Sequence, residues 1–317
     1  MKVLVTGADG FAGGWVIRDL LAAGHHVIGA VRVGGGPSRE LNESERLRVQ
    51  WVDFDLVSSD SVAALARWPV DAVLHLAALA SGADARQDPG YAWTVNAAGT
   101  ARVAEAFGRP REDGRPLPRI LIVSTGEVYG QSETARPWLE SDPPAPVSPY
   151  AASKLGGEIA AWEVARRTGL PVMVARPFPH TGPGQSDKYV VPALALRIRT
   201  ARRIGAPAIN TGNLDPVRDM LDVRDVARAY RLLLEAGRTG ETYNVASGQG
   251  ILLADIVDRL MAAIGCRVLT EADPGLTRAH DIRFLIGDAG KLSRDTGWRP
   301  TIPFEQTLKD LVDAQAD

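Results

Sequence analysis

Lys2-Val3-Leu4-Val5-Thr6-Gly7-Ala8-Asp9-Gly10-Phe11-Ala12-Gly13 is the stretch that decides the fold. Its first five residues make a short, largely apolar run of strand length. Gly7, Gly10 and Gly13 then fall three apart. Behind them Trp15, Val16, Ile17, Leu20 and Leu21 recur on a helical stripe that Gly24 ends. Strand, glycine turn and helix in this order form a dinucleotide-binding unit. The glycines let the backbone turn tightly and approach a pyrophosphate held at the helix N-terminus. Gly7, Gly10, Phe11, Ala12 and Gly13 are the expected cofactor contacts at this end.

The chain repeats this rhythm outward from the unit. His26–Val31, Val49–Asp53 and residues 72–76, 120–124 and 172–176 are further short apolar runs, with helical patterns between them. Strands alternating with helices predict an α/β chain with a doubly wound parallel sheet and ligands at the carboxyl ends of its strands. The end of the second strand bears on the cofactor. An NAD site places a carboxylate there to hold the ribose 2′-OH, whereas this chain has Val31 followed by Arg32. A guanidinium without a competing carboxylate suits a 2′-phosphate, so NADP(H) is expected over NAD(H). Asp55 and Leu56 follow the third strand, where an adenine could lie. Past Leu76, the small residues Ala77 and Ala78 let a cofactor approach the backbone. Residues 93–107 read as a helix carrying Asn96.

Candidate chemistry sits in Tyr150-Ala151-Ala152-Ser153-Lys154, which opens a helical pattern over 155–167. Positions i and i+4 share a helix face, so Tyr150 and Lys154 project side by side. A phenol titrates near pH 10, and a fixed ammonium beside it favours the phenolate. Such a tyrosine can pass a proton to or from a carbinol oxygen. YxxxK alone fits a surface tyrosine and a solvated lysine equally well; its position behind a dinucleotide-binding half gives it meaning. Thr125 and Glu127 follow the end of the fifth strand.

After Arg176 the character changes. Residues 177–185 are too rich in Pro and Gly for regular structure. Helical patterns cover 190–203, 222–235 and Leu253–Ile264, a strand covers 243–246, and the remainder reads mostly as loop before a last helix from Phe304. The expected division is a dinucleotide-binding domain over 1–175, with 214–246 returning to it. Residues 176–213 and 247–317 then form a substrate-binding lobe.

The 317 residues suffice for two lobes, and a net charge of −2 gives no footprint for nucleic acid or an anionic membrane. A single cysteine, Cys266, excludes an internal disulfide framework and suits a reducing compartment. The five histidines do not fall at metal-ligand spacings, so no metal is expected. Met1 leads straight into a strand pattern, and no apolar run approaches the roughly 20 residues that span a bilayer. A soluble cytoplasmic protein is expected.

Together these residues resemble the extended short-chain dehydrogenase/reductase family, the NAD-dependent epimerases and dehydratases. The likeness covers essentially the whole chain. It lies in TGADGFAG, Asp55-Leu56, HLAA at 75–78, Asn96, STGEVYG from Ser124, YAASK, and RPF from Arg176. It implies that Thr125 orients a substrate carbinol and that Tyr150 is the acid/base. Lys154 would hold the nicotinamide ribose and lower the Tyr150 pKa, Asn96 would help position this relay, and Phe178 and His180 would line the cofactor site. Within the family the second half is most similar to GDP-4-keto-6-deoxy-D-mannose reductases, through ARPFPHTGPGQ, GNLDPVRDMLDVRDVARAY, YNVASGQG and the RxxD of Arg278 and Asp281. That likeness implies that Arg218 and Arg278 clamp a nucleotide diphosphate. It also implies a homodimer paired through helices 93–107 and 150–167 in a four-helix interface.

Two departures bear on the reaction. Pro179 stands where the family usually has Asn, and Glu127 sits where nucleotide-sugar 4,6-dehydratases keep the base of their elimination. Deoxythymidine-sugar dehydratases also carry an Asp at the position of Gly126. Three readings therefore stay open: an NADPH-dependent 4-keto-6-deoxy nucleotide-sugar reductase, a 4-epimerase or 4,6-dehydratase that retains its cofactor, and a non-catalytic dinucleotide sensor.

Overall fold

Alternation within the short strands sets the layers of the molecule. The computed structural model describes residues 1–111, 114–276 and 281–315. The first half contains β1 (Lys2–Thr6), α1 (Phe11–Ala22), β2 (His26–Val31), α2 (Glu43–Leu47), β3 (Val49–Asp53), α3 (Ser59–Ala66) and β4 (Ala72–His75). It continues with α4 (Gly82–Gln87), α5 (Pro89–Trp93), a π turn (Thr94–Ala98), α6 (Gly99–Phe107), β5 (Arg119–Val123), a 3₁₀ turn (Gly126–Tyr129) and α7 (Pro149–Thr168). Next come β6 (Val172–Pro177), β7 (His180–Thr181), α8 (Val190–Ile204), β8 (Ala208–Thr211), β9 (Val217–Asp219), β10 (Leu221–Asp222) and α9 (Val223–Ala236). The chain ends with β11 (Thr242–Val245), β12 (Gly250–Leu252), α10 (Leu253–Ile264), β13 (Leu269–Ala272), β14 (Phe284–Leu285), α11 (Gly290–Thr296) and α12 (Phe304–Ala314).

Seven strands pair in the order β11-β6-β5-β4-β1-β2-β3, every pair parallel. This is the expected doubly wound parallel sheet. Both of its faces are buried, as parallel sheets require. Val3 and Val5 point to one face, into a cluster with Val16, Ile17 and Leu20 of α1 and Val226 and Leu233 of α9. Leu4 points to the other, with Val103 and Phe107 of α6 and Val164 of α7. Each such fully buried aliphatic side chain contributes about 1.5–3 kcal/mol. Strand order reverses between β1 and β4, which opens a crevice at their carboxyl ends. A separate cluster joins α8, α10 and α12 through Leu194, Ile198, Ile256, Leu260, Leu308 and Leu311. No helix among the described residues is long and apolar enough to cross a membrane.

The structure corrects the sequence reading in four places. Residues 177–185 contain β7, which pairs with β10. The stretch expected as mostly loop contains β13, which pairs with β8, as well as β14 and α11. Residues 269–272 are all exposed and lack any alternation; a partner some sixty residues away makes them a strand. The helix expected over 93–107 begins at Pro89 and is widened by the π turn, which turns Asn96 inward to 1% exposure. Helix α7 starts at Pro149 behind a Ser148 cap, so Tyr150 lies inside its first turn. A Cβ at Gly157 would stand 2.7 Å from the Asn96 carbonyl oxygen, so only glycine lets α7 lie this close to the π turn.

One buried histidine ties the sheet to that turn. Thr100 donates its hydroxyl proton to the Asn96 carbonyl (2.7 Å), so its 3.2 Å contact with His75 Nε2 requires an N–H on that nitrogen. His75 Nδ1 then accepts from the Thr6 hydroxyl at 2.8 Å, and Thr6 Oγ1 accepts from the Ala77 amide at 3.2 Å. Burial, with the Lys154 charge adding, lowers the His75 pKa to about 3. The unfolded chain therefore binds this proton more readily than the folded one between about pH 6.5 and 3. Stability from His75 is complete above that window and is lost as the pH falls through it. His75→Gln should lower the urea midpoint at pH 7.5, through a loss of about 1–3 kcal/mol of unfolding free energy if the Thr6 or Thr100 hydroxyl loses its partner. It should also flatten the decline of stability between pH 6.5 and 4, as measured by denaturation at several pH values.

Candidate active site

Three chain segments converge at the switch-point crevice: the glycine turn after β1, the 77–79 segment after β4, and the Thr125 turn facing α7. Gly7 has φ +69° and its Cβ would meet the Ala77 amide nitrogen at 2.8 Å; a Cβ at Gly13 would meet the Gly7 carbonyl oxygen at 2.4 Å. The cradle therefore closes only with glycine at both positions. Helix α1 begins at Gly10 with no side-chain cap and no acidic residue in its first turn. Its free amides and positive dipole end are left to an anion, and the sequence-predicted set from Gly7 to Gly13 fits a dinucleotide pyrophosphate.

At the far side of that cradle, Arg32 is 90% exposed with its Nε 3.7 Å from Asp9 Oδ2. A cavity of about 180 Å³ lies alongside, walled by Val31, Gly35, Gly36, Pro37, Trp51 and Asp53. Asp55 is occupied locally: its Oδ1 accepts from the Val57 amide and its own amide donates to Ser61 Oγ. Leu56 packs onto Gly99, where a Cβ would meet it at 2.6 Å. The loop 182–185 reaches this side too, because Trp15 Nε1 donates to the Pro183 carbonyl at 3.2 Å.

The structure brings Thr125, Glu127 and Tyr150 together, with Lys154 one turn further along α7 and Asn96 joined to α7 through Ser153. The Thr125 hydroxyl caps the 3₁₀ turn by accepting from the Glu127 amide at 3.2 Å, and it hydrogen-bonds the Tyr150 phenol. Burial raises the Tyr150 pKa, and Glu127 and Tyr189 push it up further, while the Thr125 bond opposes them. Sequence reasoning expected Lys154 to bring this phenol down. Instead desolvation governs it, and Lys154 is itself desolvated, lowered to about 8 with Glu158 as the opposing charge. Asn96 touches neither reacting group. Its Oδ1 accepts from the Leu79 amide at 2.8 Å, and its Nδ2 donates to the Leu79 carbonyl at 3.2 Å and to Ser153 Oγ at 2.9 Å. Ser153 Oγ in turn donates to the Tyr150 carbonyl at 2.8 Å. Asn96 thus fixes the backbone from which Tyr150 projects.

Other expected residues are placed differently. Phe178 is fully buried, stacked on Tyr129 with centroids 6.3 Å apart, and packs behind Gly126. The Phe178 ring thus packs under the 3₁₀ turn, and its backbone is the part left to meet the expected cofactor. His180 is half-buried with Nδ1 at 3.1 Å from the Phe178 carbonyl oxygen, and burial lowers its pKa. The Pro179 carbonyl accepts from the Leu221 amide at 2.9 Å, which joins β7 to β10. Arg218 donates to the Val217 and Ile282 carbonyls at 3.0 and 2.6 Å and lies 3.6 Å from Asp281 Oδ1. Arg278 lies outside the described residues.

Sequence reasoning missed a buried group beside the site. The Glu158 carboxylate accepts from Ser124 Oγ and pairs with Arg176, whose Nη2 lies 2.7 Å from Oε2. Its position four residues past Lys154 was the available signal. Asp219 was missed as well: fully buried, it accepts from the Ser247, Gly248 and Gly287 amides and from Ser247 Oγ.

The chain is similar to known proteins over nearly its whole length. A family model described as GDP-mannose 4,6 dehydratase matches residues 4–311. The chain is 34% identical to the GDP-6-deoxy-D-mannose reductase of Pseudomonas aeruginosa over 315 residues, covering 98% of this chain and 96% of that one. A solved structure of RMD from Pseudomonas aeruginosa complexed with NADPH superposes with a TM-score of 0.81 at 31% identity, over 99% of this chain and 98% of that one. The UDP-glucose 4-epimerase of Thermus thermophilus complexed with NAD does so with a TM-score of 0.86 at 29% identity, over the same shares of the two chains. By these full-length matches the chain belongs to the GDP-mannose 4,6 dehydratase family, among the NAD-dependent epimerases and dehydratases of nucleotide sugars.

Proposed function

We propose that this enzyme reduces the C4 ketone of a 4-keto-6-deoxy nucleotide sugar, of the GDP-sugar type, using NADPH. The observation that carries the reading is a Tyr150 phenol kept protonated by burial and bonded to Thr125, because reduction of a ketone needs a proton donor at its oxygen. The full-length likeness to a GDP-6-deoxy-D-mannose reductase supports the substrate class. NADPH, when bound, supplies the hydride. Thr125 orients the ketone oxygen and Tyr150 delivers its phenolic proton there as the alcohol forms. Lys154 then faces a phenolate, and its ammonium stabilises that charge while holding the nicotinamide ribose. Arg218, and Arg278 by sequence, suit the diphosphate.

A dehydratase is the second reading, favoured by Glu127, whose charge reaches Tyr150. Position 126 argues against the deoxythymidine-sugar type, since a Cβ there would press on the Phe178 ring at 3.0 Å and leave little room for an acid. With a panel of nucleotide sugars and NADPH, absorbance loss and product analysis test the two together. Tyr150→Phe should cut turnover roughly 10²–10⁴-fold, and Glu127→Gln should keep at least about a tenth of it, because reduction removes no C5 proton. Conversion of an unreduced nucleotide-hexose to a 4-keto-6-deoxy product without NADPH use, abolished in Glu127→Gln, would establish the dehydratase instead.

Cofactor choice is read from Arg32, with Asp9 beside it as an opposing charge. Arg32→Ala should weaken NADP(H) about tenfold or more and leave NAD(H) nearly unchanged, by fluorescence titration. Equal wild-type affinities for the two would refute the NADP preference.

A homodimer is part of the same reading. Trp93 beside the π turn and Ile159 on α7 are 47% and 62% exposed on the helices expected to pair, and small residues there permit close approach. Light scattering at micromolar concentration should give twice the chain mass of 33.9 kDa, and a monomer would end this assignment.

A further inference from the structure

Glu158 is a buried charge that the proposed reduction does not use. It is 2% exposed and its partner Arg176 is 6% exposed. Arg176 Nε and Nη2 reach its carboxylate at 3.1 and 2.7 Å, and Ser124 donates its hydroxyl to Oε1. The guanidinium also lies 4.9 Å over the ring of Tyr129. Desolvation offsets most of the attraction in a buried pair of this kind, so packing alone would be served as well by apolar side chains. An apolar pair would not supply charge or direction.

Both are placed where they matter. Ser124 directly follows β5 and precedes Thr125, Arg176 belongs to β6, and Glu158 stands one helical turn beyond Lys154 and two beyond Tyr150 on α7. We infer that Glu158 is a positioning residue, which ties β5 and β6 to α7 beside Thr125 and provides the buried carboxylate that Lys154 faces along its own helix. This rests on the proposed role of Lys154 in holding the nicotinamide ribose.

The balance around Lys154 is narrow. Burial has lowered it to about 8, and Glu158 is the charge that opposes the fall. Groups on the other elements packed against α7 do not replace it. His75 stays neutral and Tyr129 is held protonated near 12. Glu127 acts on Tyr150, Asp84 acts on Tyr189, and Glu105 binds Arg167 at the far end of α7. Arg86 and Tyr91 are exposed and Arg102 is half-buried. Removing the Glu158 charge would leave Lys154 without the carboxylate that opposes its desolvation, whereas removing Arg176 would leave that carboxylate undivided.

The test is NADPH and NADH affinity by fluorescence between pH 6 and 9.5, on the wild type, Glu158→Gln, Glu158→Asp and Arg176→Gln. Wild-type affinity should fall on the alkaline side as Lys154 loses its proton. Glu158→Gln should move that limb down by about one pH unit, and Arg176→Gln should move it up. Glu158→Asp, which keeps the charge, should stay near the wild type. A role in packing alone would weaken binding at every pH and leave the limb in place, and that result overturns the inference. If Glu158→Gln does not fold, Arg176→Gln decides by sign: a limb that stays or moves down overturns it. A wild type that binds neither dinucleotide would overturn the proposed function and this inference with it. A limb present in the wild type and unmoved in the variants overturns this inference alone.

Discussion

A polar side chain buried in the sheet must find its partners inside the protein, and this requirement runs through the structure as one seam. From the glycine turn it passes through Ala77, Thr6, His75 and Thr100 to the carbonyl of Asn96. The Asn96 side chain carries it on through Ser153 to the backbone of Tyr150. Each hydroxyl donates in one direction only, so a single histidine tautomer satisfies the chain. The dinucleotide cradle and the tyrosine are therefore set relative to one another by the same bonds that satisfy these buried polar side chains.

The π turn is what makes this seam possible. An extra residue in the helical turn rotates Asn96 inward, where its amide spans Leu79 and Ser153. Gly157 then lets α7 lie against the Asn96 carbonyl. A regular helix through 94–98 would turn the same side chain elsewhere and leave Leu79 and Ser153 to find other partners. The local geometry is less favourable than an α-helix, and the hydrogen bonds it allows offset that cost.

Electrostatics at the site follow from burial more than from pairing. Taking Tyr150 out of water raises its pKa, and taking Lys154 out of water lowers it toward neutrality. Tyr150 is thereby a protonated phenol, and Lys154 a lightly held ammonium one turn along the same helix. For the proposed reduction, such a phenol is in the state to deliver a proton to a ketone oxygen.

The sequence by itself determined the sheet and the nucleotide end of the site. Val3, Leu4 and Val5 alternate between the two faces of β1 because strand side chains have a period of two, and the glycines mark backbone turns that other residues sterically forbid. The spacing of Tyr150 and Lys154 was legible for the same reason, since helical periodicity is local. Tertiary structure alone decided the rest. Residues 269–272 are exposed and patternless, and only the distant partner β8 makes them a strand. The burial of the Phe178 ring behind Gly126 is likewise decided by the fold. Glu158 reads as one more helical glutamate until β5 and β6 bring Ser124 and Arg176 to it. Local sequence fixes periodicity and backbone freedom, whereas desolvation and partnership depend on residues far apart in the chain, and these come together only on folding.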